Sequence, residues 1–146
     1  MNILVSACLF GVNCTYRGTS KEQAEICRLL KEGKHTLIPV CPEQLGGLST
    51  PRPASECQGE KVVSCLGVDV TEQFERGAKE ALRIAKLYDC KTAILKERSP
   101  SCGNGQVYDG SFQGILTAGD GVTARLLKQQ GIRVLGESKI QDEKWI

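Results

Sequence analysis

Short apolar runs alternate with helical patterns along this sequence, and that alternation restricts the fold more than any other feature. The runs have the length of buried strands and lie at residues 2–7, 36–40, 91–95 and 132–135. Helix candidates fill the intervals, at about 19–33, 72–88 and 120–130. Because strands that alternate with helices form parallel sheets, we predict an α/β fold. It is a Rossmann-like open parallel sheet of about four to five strands with helices on both faces.

Capping signals set the predicted helix ends. Residues 19–22 (TSKE) and 20–23 (SKEQ) each fit a capping box, and Gly33 follows as a stop. Thr71 is the expected N-cap of the second helix. The apolar face of the first helix is expected to carry Ala24, Cys27 and Leu30. That of the second is expected to carry Phe74, Ala78, Ala81, Leu82 and Ala85.

Length favours one folded unit. A chain of 146 residues has the usual size of a domain and can bury about two-thirds of its unfolded surface. We therefore predict a single α/β domain over residues 1–146. Two long irregular stretches, at about 41–60 and 97–118, are rich in Pro, Gly, Ser and Gln, and such loops are usually functional. A short strand or hairpin could lie within 61–70.

Charge and the first residues restrict the partners. The 19 basic residues are interleaved with 17 acidic ones, so no basic stripe is present and no large nucleic acid is expected to bind. The opening run MNILVSACLFG has no basic n-region and is too short for a signal peptide or a membrane span. We expect a cytoplasmic protein with no membrane partner. The sequence makes no prediction of oligomeric state.

The chain has eight cysteines and no Cys-x-x-Cys pair. In a cytoplasmic protein such a count indicates metal binding or catalysis rather than a disulfide scaffold. Cys8 and Cys41 directly follow predicted strands, and Cys102 lies in the loop after a third, within the turn ERSPSCGNG. Because ligands of open parallel sheets bind outside the carboxyl ends of the strands, we expect these thiols at one edge of the sheet.

The other cysteines have simpler interpretations. Cys27 and Cys90 lie on or next to predicted helices and are expected to be buried filler. Cys57 and Cys65 lie in the irregular region, where a functional role is less favoured than a structural one. Cys14 follows Cys8 by six residues and could be an extra ligand, a resolving thiol or only a neighbour.

Three thiolates fit an iron–sulfur cluster better than zinc. Structural zinc takes four ligands, and the single histidine, His35, precedes its strand and so lies at the edge opposite Cys41. A [4Fe–4S] cube on three thiolates would keep one iron open to a substrate. Glu43, two residues past Cys41, is a candidate general base, although loop carboxylates are more often solvated. Arg52 could contact substrate.

Five segments carry a family resemblance: VSACLFGVNCTYRG at 5–18, PVCPEQLGGLSTPRP at 39–53, DVTEQFERGA at 69–78, LKERSPSCGNGQVYDGSFQG at 95–114 and GVTARLLKQQGIRV at 121–134. In these the sequence resembles the thiouracil desulfidase family, small iron–sulfur proteins long catalogued as a domain of unknown function. The resemblance implies a [4Fe–4S] cluster on Cys8, Cys41 and Cys102 and catalytic roles for Glu43 and Ser99. It also implies a thiolated pyrimidine as substrate, either 2-thiouracil, 4-thiouracil or a nucleoside form. Sulfur would leave by non-redox hydrolysis at the open iron, with release of hydrosulfide.

Two other functions stay open at this point. One is a cluster-free cysteine sulfurtransferase or thiol redox protein, in which Cys102 or Cys8 carries a persulfide or pairs with Cys14. The other is a zinc-binding module held by Cys8, Cys14, Cys41 and Cys102, against which the lack of Cys-x-x-Cys spacing counts.

Overall fold

We describe the fold from a computed structural model, in which residues 1–141 are described. In chain order its elements are β1 (Asn2–Ser6), α1 (Ala24–Glu32), β2 (Thr36–Val40), α2 (Pro42–Leu45), β3 (Ser55–Gln58), β4 (Lys61–Ser64), α3 (Thr71–Leu87), β5 (Thr92–Leu95), β6 (Gln106–Tyr108), β7 (Leu116–Ala118), α4 (Val122–Gln129) and β8 (Arg133–Gly136). Turns of 3₁₀ helix cover Ala7–Phe10 and Glu137–Lys139.

A parallel sheet with the order β2-β1-β5-β8 forms the centre of the fold. The helices lie on both of its faces. Ile26 and Leu29 of α1 pack against Ile3 and Val5 of β1, whereas α3 and α4 pack against the opposite face, where Leu4 points. The predicted Rossmann-like open sheet is therefore confirmed, with four strands in the part of the chain that is described.

The predicted capping of α1 is wrong. The helix begins at Ala24, and its N-cap residue Gln23 makes no side-chain cap hydrogen bond. The Thr19 hydroxyl instead bonds the Thr15 hydroxyl at 2.8 Å and so closes the preceding loop. The buried face of α1 carries Ile26 and Leu29 rather than the predicted residues, and Leu30 is 50% exposed. The buried face is therefore shifted by one position from the predicted Cys27 and Leu30.

Thr71 does not cap α3 as predicted. It is the first residue of the helix, and its Oγ1 accepts a hydrogen bond from the Val62 N–H at 2.9 Å. Asp69 Oδ1 accepts the Thr71 N–H at 2.9 Å and the Thr71 hydroxyl at 2.6 Å. Asp69 therefore accepts the first N–H of the helix, while the Thr71 hydroxyl joins the helix to β4. The apolar face of α3 is as predicted at Phe74, Ala78, Ala81 and Ala85.

Two antiparallel hairpins lie outside the central sheet: β4 is the short strand expected within 61–70, whereas β3, β6 and β7 lie in the stretches predicted to be irregular. One pairs β3 with β4, and the other pairs β6 with β7. Glu56 of β3 joins them, because its Oε1 accepts the Gly110 N–H at 3.0 Å and the Phe112 N–H at 3.2 Å. Each strand of these hairpins is only three or four residues long, which is too short for an alternation signal.

The short helix α2 lies directly on α3 through two glycines. A Cβ atom on Gly46 would overlap the Gln73 carbonyl oxygen, and a Cβ on Gly77 would overlap the Pro42 carbonyl oxygen. The two backbones therefore touch, which fixes α2, and with it Glu43, relative to the body of the protein. No helix of residues 1–141 is long and apolar enough to cross a membrane.

We expect Gly77→Ala to destabilise the fold even though alanine is the better helix former. Helix propensity favours alanine by about 1 kcal/mol, but overpacking against a fixed backbone costs about 1–3 kcal/mol. The net loss of unfolding free energy would be measured as a lower urea midpoint. Lys79→Ala, an exposed substitution in the same helix, is the control. A Gly77→Ala variant as stable as Lys79→Ala would show that α2 and α3 do not need this contact.

Candidate active site

The carboxyl edge of the sheet carries the three thiols named by the sequence. Cys8 lies in the 3₁₀ turn that follows β1, and Cys41 is the first residue after β2. Cys102 lies in the turn after β5. The chain runs from β1 to β2 on one side and then returns past β1 to β5 and β8 on the other. This reversal of strand order makes the edge beside β1 the expected binding crevice.

Cys14 joins these thiols. Its side chain interacts with the Cys8 and Cys41 thiols, and Cys41 Sγ lies 3.6 Å from the Cys14 carbonyl oxygen. The Cys41 contact lowers the pKa of Cys14, but the Cys8 contact and burial outweigh it and bring that pKa to about 11. The contact with Cys14, together with burial, raises the pKa of Cys41. All eight cysteines are free thiols.

Cys102 is also buried, in the turn that follows β5. Burial raises its pKa to about 12, while hydrogen bonds from the Ser6 and Ser101 side chains act in the opposite direction. Electrostatic interaction with Glu43 and Cys41 also raises the pKa of Cys102. Burial and nearby negative charge keep the thiol protonated until a cation comes to the site.

Ser6 is a residue that the sequence analysis missed. It is buried at the last position of β1, and its Oγ accepts the Lys96 N–H at 2.9 Å. The same hydroxyl interacts with Cys102, so it joins β1 to the turn after β5 and supports the thiol. A buried serine inside an apolar strand was the available signal, since a buried hydroxyl must have a partner.

Ser99 shapes the turn that holds Cys102. Its Oγ accepts the N–H groups of Ser101 and Cys102, each at 3.1 Å, and its carbonyl accepts the Gly103 N–H at 2.8 Å. Gly103 is required here, because a Cβ would come within 2.7 Å of the Ser99 carbonyl oxygen. With its oxygen occupied as an acceptor, Ser99 still has its own hydroxyl proton to donate.

Glu43 is not the solvated carboxylate that loop position favours. Its side chain is 13% exposed, and Arg52, whose side chain is 6% exposed, forms an ion pair with its Oε2. Arg52 Nε donates to that oxygen at 2.7 Å. Burial raises the pKa of the Glu43 carboxyl, and the Arg52 guanidinium opposes this. Among residues 1–141, no group donates a hydrogen bond to Oε1.

The remaining cysteines and the histidine lie elsewhere. Cys90 is buried at the end of α3, as expected of filler. Cys27 is only half-buried and contacts Glu22, so its prediction as buried filler is wrong. Cys57 lies in β3, and its thiol donates to the Pro100 carbonyl oxygen at 3.5 Å. Cys65 is exposed. His35 lies at the opposite edge beside the N-terminus, as predicted.

The donor set fits a cluster of several irons rather than one metal ion. No three His, Cys, Asp or Glu side chains within the described part of the chain are arranged to hold a single ion. A cubane takes each thiolate on a different iron, so its ligands need not converge on one point, and soft thiolates are the donors it requires. This arrangement counts against the zinc module.

Comparison with known proteins agrees with the arrangement. The sequence model described as 2-thiouracil desulfurase matches residues 3–139. The chain belongs to this family. It is 44% identical to the uncharacterized protein YbbK of Bacillus subtilis (strain 168) over 96% of this chain and 98% of the relative. It also resembles the solved structure of the [4Fe–4S]-dependent thiouracil desulfidase TudS (DUF523Vcz). That likeness has a TM-score of 0.91 and 44% identity, over 99% of this chain and 95% of TudS. The family predicted from the sequence motifs is confirmed.

Proposed function

We propose that this protein is a [4Fe–4S]-dependent desulfidase that removes sulfur from a thiolated pyrimidine, with 2-thiouracil as its first candidate substrate. Family membership and the likeness to TudS support the activity. The observation that carries the proposal for this chain is the placement of three strand-end thiols and the buried Glu43 carboxylate at one edge of the sheet. The 4-thiouracil ring and the nucleoside forms are further candidates.

Cys8, Cys41 and Cys102 would hold the cluster. When bound, a [4Fe–4S] group with three protein ligands supplies an iron open to substrate, a soft Lewis acid that prefers thiocarbonyl sulfur to carbonyl oxygen. Cys8 and Cys102 are buried, while Cys41 is half-buried. Cys14 is held to Cys41 through its carbonyl oxygen and is assigned no role as a ligand.

Glu43 would act as the general base. Arg52 occupies Oε2, so Oε1 is the oxygen that can take a proton from water. A base within hydrogen-bond reach of its water usually contributes roughly 10²–10⁴-fold to the rate. The position of Glu43 in the first turn of α2, two residues after Cys41, supports this role.

Ser99 would donate its hydroxyl proton to the ring or to the attacking water. Its oxygen is fixed by the two N–H groups of the Cys102 turn, so the direction of the remaining donor is set by the backbone. A hydrogen bond from Ser99 to a ring oxygen or nitrogen would orient the thiocarbonyl carbon toward the water.

The proposed reaction is hydrolytic and balances without an electron carrier. Water adds its oxygen to the ring carbon as Glu43 takes a proton, and the carbon–sulfur bond then breaks. The products are the oxo pyrimidine and hydrosulfide, so thiouracil and water give uracil and hydrogen sulfide. No group is oxidised or reduced, which separates this function from a thiol redox protein.

Removal of iron is expected to abolish turnover reversibly. A chelator-treated, cluster-free sample should release no sulfide from 2-thiouracil, and anaerobic reconstitution with iron and sulfide should restore release. Zinc loading of the same sample should not, because zinc cannot reproduce the open iron. Full activity in the cluster-free sample would instead favour the sulfurtransferase or thiol redox alternative.

A further inference from the structure

Arg52 is a fully paired, buried guanidinium at the thiol edge. Its Nε donates to Glu43 Oε2 at 2.7 Å, and its Nη2 pairs with the same oxygen and donates to the Cys14 carbonyl oxygen at 2.9 Å. Its Nη1 donates to the Ser49 carbonyl oxygen at 3.2 Å and to Thr50 Oγ1 at 3.0 Å. A guanidinium has five N–H donors, and these contacts use all five.

Full pairing excludes a direct role in substrate binding. A donor that binds a ligand must be free to do so, and each Arg52 donor already has an acceptor in the protein. The sequence-based prediction that Arg52 contacts substrate therefore does not fit the structure. What the side chain does instead is join separate segments: the CPE turn, the turn before Arg52 itself, and the loop that carries Cys14.

We infer that Arg52 is the positioning residue of the proposed base: it fixes Oε2 of Glu43 so that Oε1 faces the reacting water, and it ties the Cys14 loop to the same point. This inference rests on the proposed function. A second hydrogen bond joins Arg52 to the same loop, because the backbone N–H of Arg52 donates to the Tyr16 carbonyl oxygen at 2.8 Å. One residue thus sets the distance between the base and the loop beside Cys8 and Cys41.

Only arginine can make this junction. Two N–H groups on one side of the planar fork meet a single carboxylate oxygen, while the other three point to acceptors on two different loops. A lysine ammonium has three donors on a flexible stem and cannot span these directions together. Replacement by lysine keeps the charge next to Glu43 but loses the geometry.

The test compares kcat, KM and iron content in reconstituted Arg52→Ala, Arg52→Lys and Glu43→Gln variants with 2-thiouracil as substrate. Misplacing a base by about 1 Å costs about 10²-fold, so kcat of Arg52→Ala should fall by roughly that factor. KM should stay within about twofold, as expected when only a transition-state contact is lost. Arg52→Lys should retain an intermediate kcat, and every variant should keep its iron. If Arg52→Ala fails to fold, the test is the comparison of kcat and KM between Arg52→Lys and the wild type.

A double variant separates positioning from an independent effect. If Arg52 acts through Glu43, Glu43→Gln with Arg52→Ala should be no slower than Glu43→Gln alone, to within about threefold. Losses that multiply would overturn the inference, as would a raised KM with unchanged kcat. Should wild-type protein release no sulfide, or Glu43→Gln turn over normally, the proposed function fails instead.

A second measurement needs no activity at all. Amide hydrogen exchange across residues 12–18 of the cluster-free protein should be faster in Arg52→Ala, because that change removes the bond to the Cys14 carbonyl oxygen. Arg17→Ala is the matched control, since Arg17 lies in the same loop, is exposed and contacts its neighbour Tyr16. Equal exchange rates in Arg52→Ala and Arg17→Ala would show that Arg52 does not hold the Cys14 loop, whatever the outcome for catalysis.

Discussion

Replacement of Cys102 by alanine is expected to remove the cluster and the activity together. The thiol is buried and lies after β5, at the same edge of the sheet as Cys8 and Cys41, so its loss removes one of the three proposed ligands. Reconstituted wild-type protein should hold about four irons per chain, and Cys102→Ala should hold none that survives desalting. Iron analysis and a visible spectrum measure the first loss, and sulfide release from 2-thiouracil measures the second.

The matched control for this change is Cys90→Ala. Cys90 is also a buried free thiol, but it precedes β5 and so lies at the amino end of that strand, at the edge of the sheet opposite the strand-end thiols. The Cys90→Ala variant should bind a full complement of iron and turn over normally, even if it unfolds at a lower temperature. Cys102→Ala with wild-type iron and a normal rate would refute the assignment of this cysteine. Cys8→Ala and Cys41→Ala should behave as Cys102→Ala does.

Glu43→Gln is expected to keep the cluster and lose turnover. The amide has the shape of the carboxylate and can still accept from Arg52, but it cannot take a proton from water. We expect kcat to fall by roughly 10²–10⁴-fold with iron content unchanged. The change also leaves a buried guanidinium without its counter-charge, and breaking a buried ion pair costs about 3–5 kcal/mol. The melting temperature should therefore fall as well.

Stability and catalysis can be separated in this variant. Steady-state rates would be measured well below the melting temperature of Glu43→Gln, so that the folded fraction is the same as in the wild type. Glu72→Gln, an exposed substitution in the first turn of α3, controls for the loss of one negative charge. A Glu43→Gln enzyme with the wild-type kcat would exclude Glu43 as the base.

Sequence patterns predicted the sheet and the strand-end thiols because both depend on local signals. Apolar runs of four or five residues are enough to mark buried parallel strands, and parallel strands bring their carboxyl ends to one edge. Cys8 and Cys41 follow such runs directly, so their approximate position required only the order of the elements. Glu43 was a candidate base from its position two residues past Cys41, and the family resemblance then implied catalytic roles for both Glu43 and Ser99.

What the sequence did not reveal depends on contacts between distant residues. The pairing of Arg52 with Glu43 and with the Cys14 carbonyl joins three segments of the chain, and its geometry has no sequence period. The hydroxyl of Ser6 finds its partners on β5 and in the Cys102 turn, about 90 residues away, through parallel strand pairing. The capping of α1 and α3 was misjudged for a similar reason, since loops outside each helix took up the hydroxyl groups.

The most direct test of the account is a single turnover of 2-thiouracil in ¹⁸O-labelled water, by reconstituted protein without added thiol or reductant. The account predicts that each uracil formed carries one ¹⁸O atom and that an equal amount of sulfide is released, and that cluster-free protein forms neither. Equal turnover by cluster-free protein, or sulfur retained as a cysteine persulfide in place of free sulfide, would contradict hydrolysis at an iron–sulfur site.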